Sequence, residues 1–473
     1  MEKQINFICN DNAISGKMNP AITVLDYLRT VKKLTGTKEG CREGDCGACT
    51  VLLGSLVGNK VKYKSVNSCL LPLNSVNGKH LVSIEGLNIE KLSFIQEQLV
   101  DEGGTQCGFC TPGFVVSLVN YFLNHNNYNL HEAVTSLDGN ICRCTGYAGI
   151  KRAIENTISF LGNNSAKDNI EFLINKNILP KYFLEIPKLL KRLNAQLETK
   201  SKKSKTSKFL VSGGTDIYVQ QRDTIHSSNI EFVAENRSEK TIWKSGDKIY
   251  LSGNLTVEEF RESKLIHQYL PSLKNHLLLF GSLPIRNRAT IAGNIVNASP
   301  IADITNILLV LNSDVHLHYE KKKRTIPLIK FYKGYKQLNK TRNELITAVS
   351  FSIPKSKSLF NFEKISRRTF LDIASVNSSI SIKTSANVIE DVHISAGGVS
   401  PVPLYLRSTR KFLLNKKISL ENIKHAVKIA LAEISPISDA RGSSEYKSLL
   451  LRQLFYSHFI KLYPQNFKHE EFL

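Results

Sequence analysis

Polar and apolar side chains alternate over Glu2-Lys3-Gln4-Ile5-Asn6-Phe7-Ile8, the period of a half-buried strand. A helix is predicted over Ile22–Leu34, with Val24, Leu25, Leu28 and Val31 near one face. Thr50-Val51-Leu52-Leu53 reads as a strand, and Gly54, Gly58 and Asn77-Gly78 read as turns. These elements predict a small β-rich domain ending near residue 86. The period then changes. Leu92, Ile95 and Leu99 recur at helical spacing. Thr111 as N-cap and Pro112 as first residue introduce a helix through Phe114, Val115, Leu118, Val119 and Phe122. Further helices are predicted over His131–Leu137 and from Ile150 through Ala153, Ile154, Ile158 and Leu161. Residues 163–182 are polar or mixed and predict a linker, softest at Gly162-Asn163-Asn164-Ser165. Near the end, strands are predicted at Ser378–Lys383 and Val392–Ser395, and helices at Leu420–Ile434 and Ser444–Ile460, an α+β pattern.

The chain has 473 residues, 42% hydrophobic and 22% charged, which excludes global disorder. At roughly 100–200 residues per domain, three or four folding units are expected. No apolar run approaches the roughly 18 residues that cross a bilayer, and the N-terminus carries no signal-peptide core. A cytoplasmic protein without membrane contact is expected. The net charge of +22 invites a nucleic-acid reading. The basic residues are spread along the chain without a recognition motif, so compositional bias is the better reading. The dense cluster Lys200 to Lys208 alternates with serine and predicts an exposed loop.

Cysteine spacing changes the picture. Of nine cysteines, eight form two sets of four: Cys41, Cys46, Cys49 and Cys69, then Cys107, Cys110, Cys142 and Cys144. Cys9 is left over and reads as a buried small hydrophobe. A chain in a reducing compartment does not use eight cysteines for disulfides, so metal ligation follows. The first set has the plant-type ferredoxin spacing for a 2Fe–2S cluster, with three ligands on one loop and a distant fourth. Gly40, Gly44 and Gly47 let backbone amides face the cluster sulfurs. In the second set Cys142 and Cys144 are separated by one residue, too tight for a zinc hook. Its short helices predict a bundle closing on a buried cluster, with zinc as the alternative metal.

The strand Phe209-Leu210-Val211 runs into Ser212-Gly213-Gly214-Thr215-Asp216, whose successive amides could form an anion nest or simply a turn. A second segment, Phe280 to Asn294, has small residues for close backbone approach. It also holds Arg286 and Arg288, for which phosphate contact and surface ion pairing are both open. No Gly-x-Gly-x-x-Gly fingerprint and no P-loop occurs.

The runs Glu39–Thr50, Gln106–Gly113 and Asn140–Tyr147 resemble the iron–sulfur module of the molybdenum hydroxylases, a family that includes xanthine dehydrogenase, aldehyde oxidase and carbon monoxide dehydrogenase. All eight cysteine positions match. Phe209–Ile217 and Phe280–Asp303 resemble the family's FAD domain, and Lys364–Ala374, Ala396–Pro401 and Asp439–Tyr446 its C-terminal domain. The resemblance implies a multidomain α+β protein. Its parts would be a β-grasp ferredoxin-like domain (1–86), a four-helix 2Fe–2S domain (87–162), the linker (163–182), a vanillyl-alcohol-oxidase-type FAD domain (183–355) and a C-terminal α+β domain (360–470). The Lys/Ser-rich stretch 195–208 departs from the family pattern and reads as a surface insertion.

Carried onto this sequence, the resemblance implies two 2Fe–2S clusters on the eight cysteines and one FAD. Leu210, Val211, Ser212, Gly213, Gly214, Thr215, Asp216 and Ile217 would form the first pyrophosphate loop. Thr290, Ile291, Ala292, Gly293 and Asn294 would form the second, with the Thr290 hydroxyl and backbone amides on phosphate. Asp303 would hold a flavin side-chain hydroxyl, and Phe280 would pack on the isoalloxazine, with an ordinary core role as its alternative. No molybdopterin-binding domain is evident in the 473 residues, so the resemblance places molybdopterin on a large partner subunit, in a heterotetramer, and no catalytic residue on this chain. It is nearest the small iron–sulfur/FAD subunit of bacterial xanthine dehydrogenases. Electrons from purine hydroxylation would pass through the helical-domain cluster, the ferredoxin-type cluster and FAD to NAD+. An equivalent subunit for aldehydes or N-heterocycles, and a zinc-stabilised binding module, are the alternatives.

Overall fold

The computed structural model describes residues 2–166, 168–196, 209–233, 241–354 and 358–472. The Lys200–Lys208 cluster lies outside them. The chain divides into two compact units: residues 1–235 with Ser282–Arg288, and residues 236–281 with 289–473.

In the first unit a five-stranded sheet has the order Asn12–Met18, Lys3–Cys9, His80–Val82, Thr50–Val57, Lys60–Asn67. Lys3–Cys9 pairs antiparallel with Asn12–Met18 and parallel with His80–Val82. The strand alternation places Ile5 and Phe7 in a core with Val24, Leu28 and Val51. The helix predicted over Ile22–Leu34 is shorter, Val24–Asp26 running into a π turn at Tyr27–Val31, because Thr23 caps it by accepting the Asp26 amide. Cys9 is buried, and burial pushes its thiol up to about 12.

The helical part follows as Phe94–Asp101, Thr111–Asn124, Leu130–Thr135 and Ala148–Leu161. Helix Thr111–Asn124 is buried from Gly113 to Phe122, as its nearly all-apolar sequence requires. Its N-cap is Cys110, not Thr111; the Thr111 hydroxyl bonds Thr105 instead.

The predicted linker is a folded element. Asp168 caps a helix at Asn169–Asn175, and a 3-10 turn follows at Lys181–Leu184. Leu173, Ile178, Leu179 and Phe183 are buried in the same apolar cluster as Phe114 and Phe122. Most of the polar residues that suggested a linker lie on the outer face, although Asn164 is buried; the apolar minority decides the packing. Helix Ile186–Ala195 continues this packing through Ile186 and Leu190. The two-stranded parallel sheet Phe209–Val211 with Ile230–Phe232 also belongs to this unit, its Val211 and Phe232 clustering with Cys49, Cys69 and Leu70. The division between units therefore runs inside the stretch expected to be the flavin domain.

The second unit holds two antiparallel sheets. One has the order Lys322–Pro327, Asp314–Tyr319, Leu345–Ser352, Lys248–Ser252, Ile242–Ser245. The other has the order Ser358–Ile365, Val376–Ser385, Val388–Gly397, Leu404–Tyr405. Helices Arg407–Leu413, Leu420–Glu433 and Ser444–Leu462 accompany the second sheet. At its centre His458 is fully buried. The Ser378 hydroxyl donates to the Ser395 carbonyl, so it accepts from His458 Nε2 at 3.0 Å, while Nδ1 accepts from the Asn361 amide at 2.9 Å. A second ring proton would point at a donor. Burial, opposed by nearby Glu363, holds this imidazole down to about 4, and burial does the same for His276.

Leu173→Ala should cost about 2–5 kcal/mol, read as a lowered denaturant midpoint for the first unit. A residue in a true linker would move it by less than about 0.5 kcal/mol. The unfolded imidazole titrates near 6.5 and the folded His458 near 4, so the unfolded state binds more protons between these values. Stability of the second unit should fall as pH drops from 6.5 to 4, by about 3 kcal/mol for this group. His458→Gln should flatten that part of the stability–pH curve.

Candidate redox centres

The first cysteine loop joins the π turn to strand Thr50–Val57. Arg42, Gly44 and Gly47 all have positive φ, at 60°, 82° and 70°. This winding turns amides inward: Glu43 and Asp45 each donate to Cys41 Sγ at 3.3 Å, and Cys41 donates to Cys46 Sγ at 3.5 Å. Cys69, just past strand Lys60–Asn67, lies 3.3 Å from Cys49, sulfur to sulfur. Asp26 anchors the loop through Arg42 at 3.0 Å.

The second set comes from two turns. Cys107 and Cys110 precede helix Thr111–Asn124; Cys142 and Cys144 precede helix Ala148–Leu161. Cys144 lies 3.5 Å from Cys107, sulfur to sulfur, and Cys110 is hydrogen-bonded to Cys142. Thr145 addresses Cys142 Sγ with its hydroxyl at 3.1 Å and its amide at 3.5 Å. Tyr147, left-handed at φ 67°, accepts the Cys142 amide on its hydroxyl. Cys142 is buried, but Cys107 and Cys144 are exposed, so the expected closed bundle is open on that side. The chain between Thr105 and Thr111 is too short to cover both sulfurs.

All nine cysteines are free thiols. Each quartet is paired two by two: Cys41 with Cys46, Cys49 with Cys69, Cys107 with Cys144, and Cys110 with Cys142. Metal–thiolate bonds of about 2.3 Å at a tetrahedral metal put two sulfurs about 3.8 Å apart, a few tenths beyond the 3.3 and 3.5 Å found here. One thiol of each pair is held low. Cys41 falls to about 5 because the Cys46 thiol and inward amides stabilise its charge. Cys49 is lowered by the Cys69 thiol, and Cys107 by the Phe109 amide. Cys142 is lowered by Thr145 and its neighbours although burial opposes it. The loops thus favour one thiolate in each pair, and its negative charge raises the partner thiol, second to burial at Cys110. This donor set fits two clusters of two irons each.

The expected flavin residues divide between the units. In the first, Gly214 (φ 86°) turns the chain from strand Phe209–Val211 into helix Ile217–Gln220, and a Cβ there would meet the Leu70 carbonyl at 3.2 Å. Arg288 donates to the Gly213 carbonyl and the Ser75 hydroxyl, each at 3.1 Å. Arg286 is neither a surface ion pair nor at this loop. It is 1% exposed and lies 2.9 Å from Asp138.

In the second unit Thr290 caps helix Ile291–Asn297, its hydroxyl accepting the Gly293 amide. The amides of Ile291, Ala292 and Asn294 donate to the carbonyls of Leu255, Gly253 and Thr290. Ile291 and Ala292 thus meet the Gly253–Leu255 backbone, and the Asn294 amide closes the first turn of the helix. Asp303 opens helix Asp303–Val310 and is bound by Lys364 at 2.7 Å and by Asn377. Lys364 also donates to the Leu279 carbonyl at 2.7 Å, beside Phe280. Phe280 is half-buried. Lys364 was missed as a site residue. Its signals were its place at the head of the Lys364–Ala374 motif and near the end of the strand Ser358–Ile365.

Two thiolate quartets and a flavin-type turn define an electron-carrying iron–sulfur flavoprotein. Residues 14–73 match the family described as 2Fe-2S iron-sulfur cluster binding domain, and 83–155 match a second 2Fe-2S binding domain. Residues 184–356 match the FAD binding domain in molybdopterin dehydrogenase, and 361–462 the CO dehydrogenase flavoprotein C-terminal domain. Xanthine dehydrogenase of Emericella nidulans is 27% identical over 88% of this chain and 35% of its own length. Aldehyde oxidase 1 of Macaca fascicularis is 25% identical over 96% of this chain and 39% of its own. A solved structure of reconstituted CO dehydrogenase from Oligotropha carboxidovorans is 20% identical, with a TM-score of 0.49, over 53% of this chain and 87% of that one. The chain spans little more than a third of the curated relatives. It belongs to the molybdenum hydroxylase family, as a module with two 2Fe–2S domains and an FAD domain.

Lys364→Met should leave the Asp303 carboxylate in its mostly buried position without its cation. A loss of about 3 kcal/mol or more is expected, measured by denaturation of the second unit; a change below about 0.5 kcal/mol would show the pair to be energetically idle.

Proposed function

We propose that this chain is the electron-transfer subunit of a xanthine dehydrogenase-type enzyme, taking electrons released by purine hydroxylation on a molybdopterin-bearing partner and delivering them to NAD+. The observation that carries this reading is the pair of thiolate quartets, each already sorted two by two. Cys41, Cys46, Cys49 and Cys69 would hold one cluster, and Cys107, Cys110, Cys142 and Cys144 the other. Leu210–Ile217, Phe280, Thr290–Asn294 and Asp303 would hold FAD, with Lys364 fixing Asp303. When bound, the clusters supply one-electron carriage and FAD supplies exchange between single electrons and a hydride.

The chain's own part is to place and tune these groups. Inward amides at Glu43 and Asp45 offset the negative charge on sulfur, which sets the potential. Cys49 and Cys69, each at most 3% exposed, exclude water from one side of the first quartet. The exposed Cys107 and Cys144 suit the second quartet to receive electrons from outside the chain. Heterotetrameric assembly, a cytoplasmic location and the domain limits given above, apart from the linker, belong to the same proposal. An equivalent subunit serving aldehydes or N-heterocycles shares every feature of this site, and the aldehyde oxidase relative supports it as the second reading.

Protein purified without air should carry four irons in two distinct EPR signals and one FAD, and should reduce a dye with NADH without oxidising xanthine. Cys46→Ser should abolish one signal and spare the other. A colourless zinc protein, or a Cys46→Ser variant with both signals intact, would overturn the assignment. A pull-down that recovers a partner active on aldehydes but not purines would favour the second reading.

A further inference from the structure

The segment Ser282–Arg288 separates two stretches of the second unit in sequence, yet it packs in the first unit with the cysteine loops. It carries the buried Arg286. Both oxygens of Asp138 are engaged by this segment: Oδ2 by the Arg286 guanidinium at 2.9 Å, Oδ1 by the Leu283 amide at 2.8 Å. The Asp138 side chain is wholly buried. Asp138 sits in the turn that leads through Gly139, Asn140 and Ile141 to Cys142. That turn is also bonded to the first cysteine loop. The Ile141 amide donates to the Cys46 carbonyl at 3.1 Å, and the Asn140 side chain donates to the Gly47 carbonyl at 3.3 Å.

The contacts leave no slack. A Cβ on Gly139 would meet the Ser282 side chain at 2.8 Å and Pro284 at 3.2 Å. A Cβ on Gly47 would meet the Gly139 carbonyl at 2.2 Å. On the other side Ile285 lies against Gly44, where a Cβ would come within 2.7 Å of it. Asn287 donates to the Ser65 carbonyl at 2.9 Å. One short segment therefore touches both cysteine loops and the ferredoxin-type sheet, and its buried Arg286–Asp138 ion pair acts on the loop of Cys142.

We propose that Arg286 is a positioning residue for the electron relay: through Asp138 it clamps the Cys142 turn against the Cys46–Gly47 backbone and so fixes the spacing of the two clusters. The inference rests on the two quartets being cluster ligands. A buried cation and a buried carboxylate are costly to retain for stability alone, whereas two contacts from one segment, the Arg286 guanidinium and the Leu283 amide, fix the position of one carboxylate.

The test uses the full chain loaded with both clusters and FAD. Two nearby reduced clusters split or broaden each other's EPR lines, and this interaction depends steeply on their separation. Wild-type protein should show the mutual splitting. Arg286→Gln should keep four irons and the FAD but lose the splitting, and the midpoint potential of at least one cluster should shift. Arg286→Gln leaves the buried Asp138 carboxylate without this cation and risks misfolding, so a double variant, Asp138→Asn with Arg286→Met, removes both charges. It should fold, load both clusters and lose the splitting. Either variant with both clusters and unchanged splitting overturns the proposal. So does a wild-type protein whose two signals are magnetically independent, or a double variant that loads neither cluster, because the pair would then hold the fold rather than the spacing. Absence of two 2Fe–2S signals in the wild-type protein would instead overturn the ligand assignment.

Discussion

The first unit depends on a place where backbone meets backbone. Gly47, Gly113 and Gly139 bring the loop of the first quartet against the helix and the turn that carry the second. A Cβ on Gly113 would come within 2.3 Å of the Gly47 carbonyl, and one on Gly47 within 2.2 Å of the Gly139 carbonyl. No side chain fits, and repulsion at such distances leaves no compromise. Asn140 answers for the polar groups this contact buries, accepting from Ser117 and donating to Gly47. The two sets of thiols are thereby parts of one rigid construction.

Three buried polar groups are each held by partners that leave a single arrangement. Asp303 is closed by Lys364 and Asn377, His458 by Asn361 and Ser378, and His80 by Tyr63 and the Asn10 carbonyl. An unpaired member of any of these would bear the full cost of desolvation. Such groups define geometry as well as stability. Lys364 ties the Asp303 helix to the backbone next to Phe280.

Much was legible along the chain. The cysteine spacings identify two different thiolate sets because ligand geometry is local: three of four ligands lie within one loop or on two adjacent turns. Long elements with clear periodicity also read well, as in Leu420–Glu433, Ser444–Leu462 and Val388–Gly397. Short ones misled. The stretch 163–182 looked like a linker because its few apolar residues, Leu173 and Ile178 among them, are outnumbered. The cap at Cys110 displaced Thr111 by one residue, since the cysteine turn before it already has helical geometry.

By itself the sequence determined what chemistry the chain can hold, because thiols at fixed spacing and glycines at tight turns are properties of short segments. It did not determine how those segments meet. Arg286 looked like a candidate phosphate ligand or a surface charge, and only the fold shows it sealed against Asp138, 148 residues earlier. The Ile291 and Ala292 amides find their acceptors on the Gly253–Leu255 backbone, which only the fold brings beside them. Partners distant in the chain are chosen by packing and desolvation, which act on the folded surface and leave no local trace.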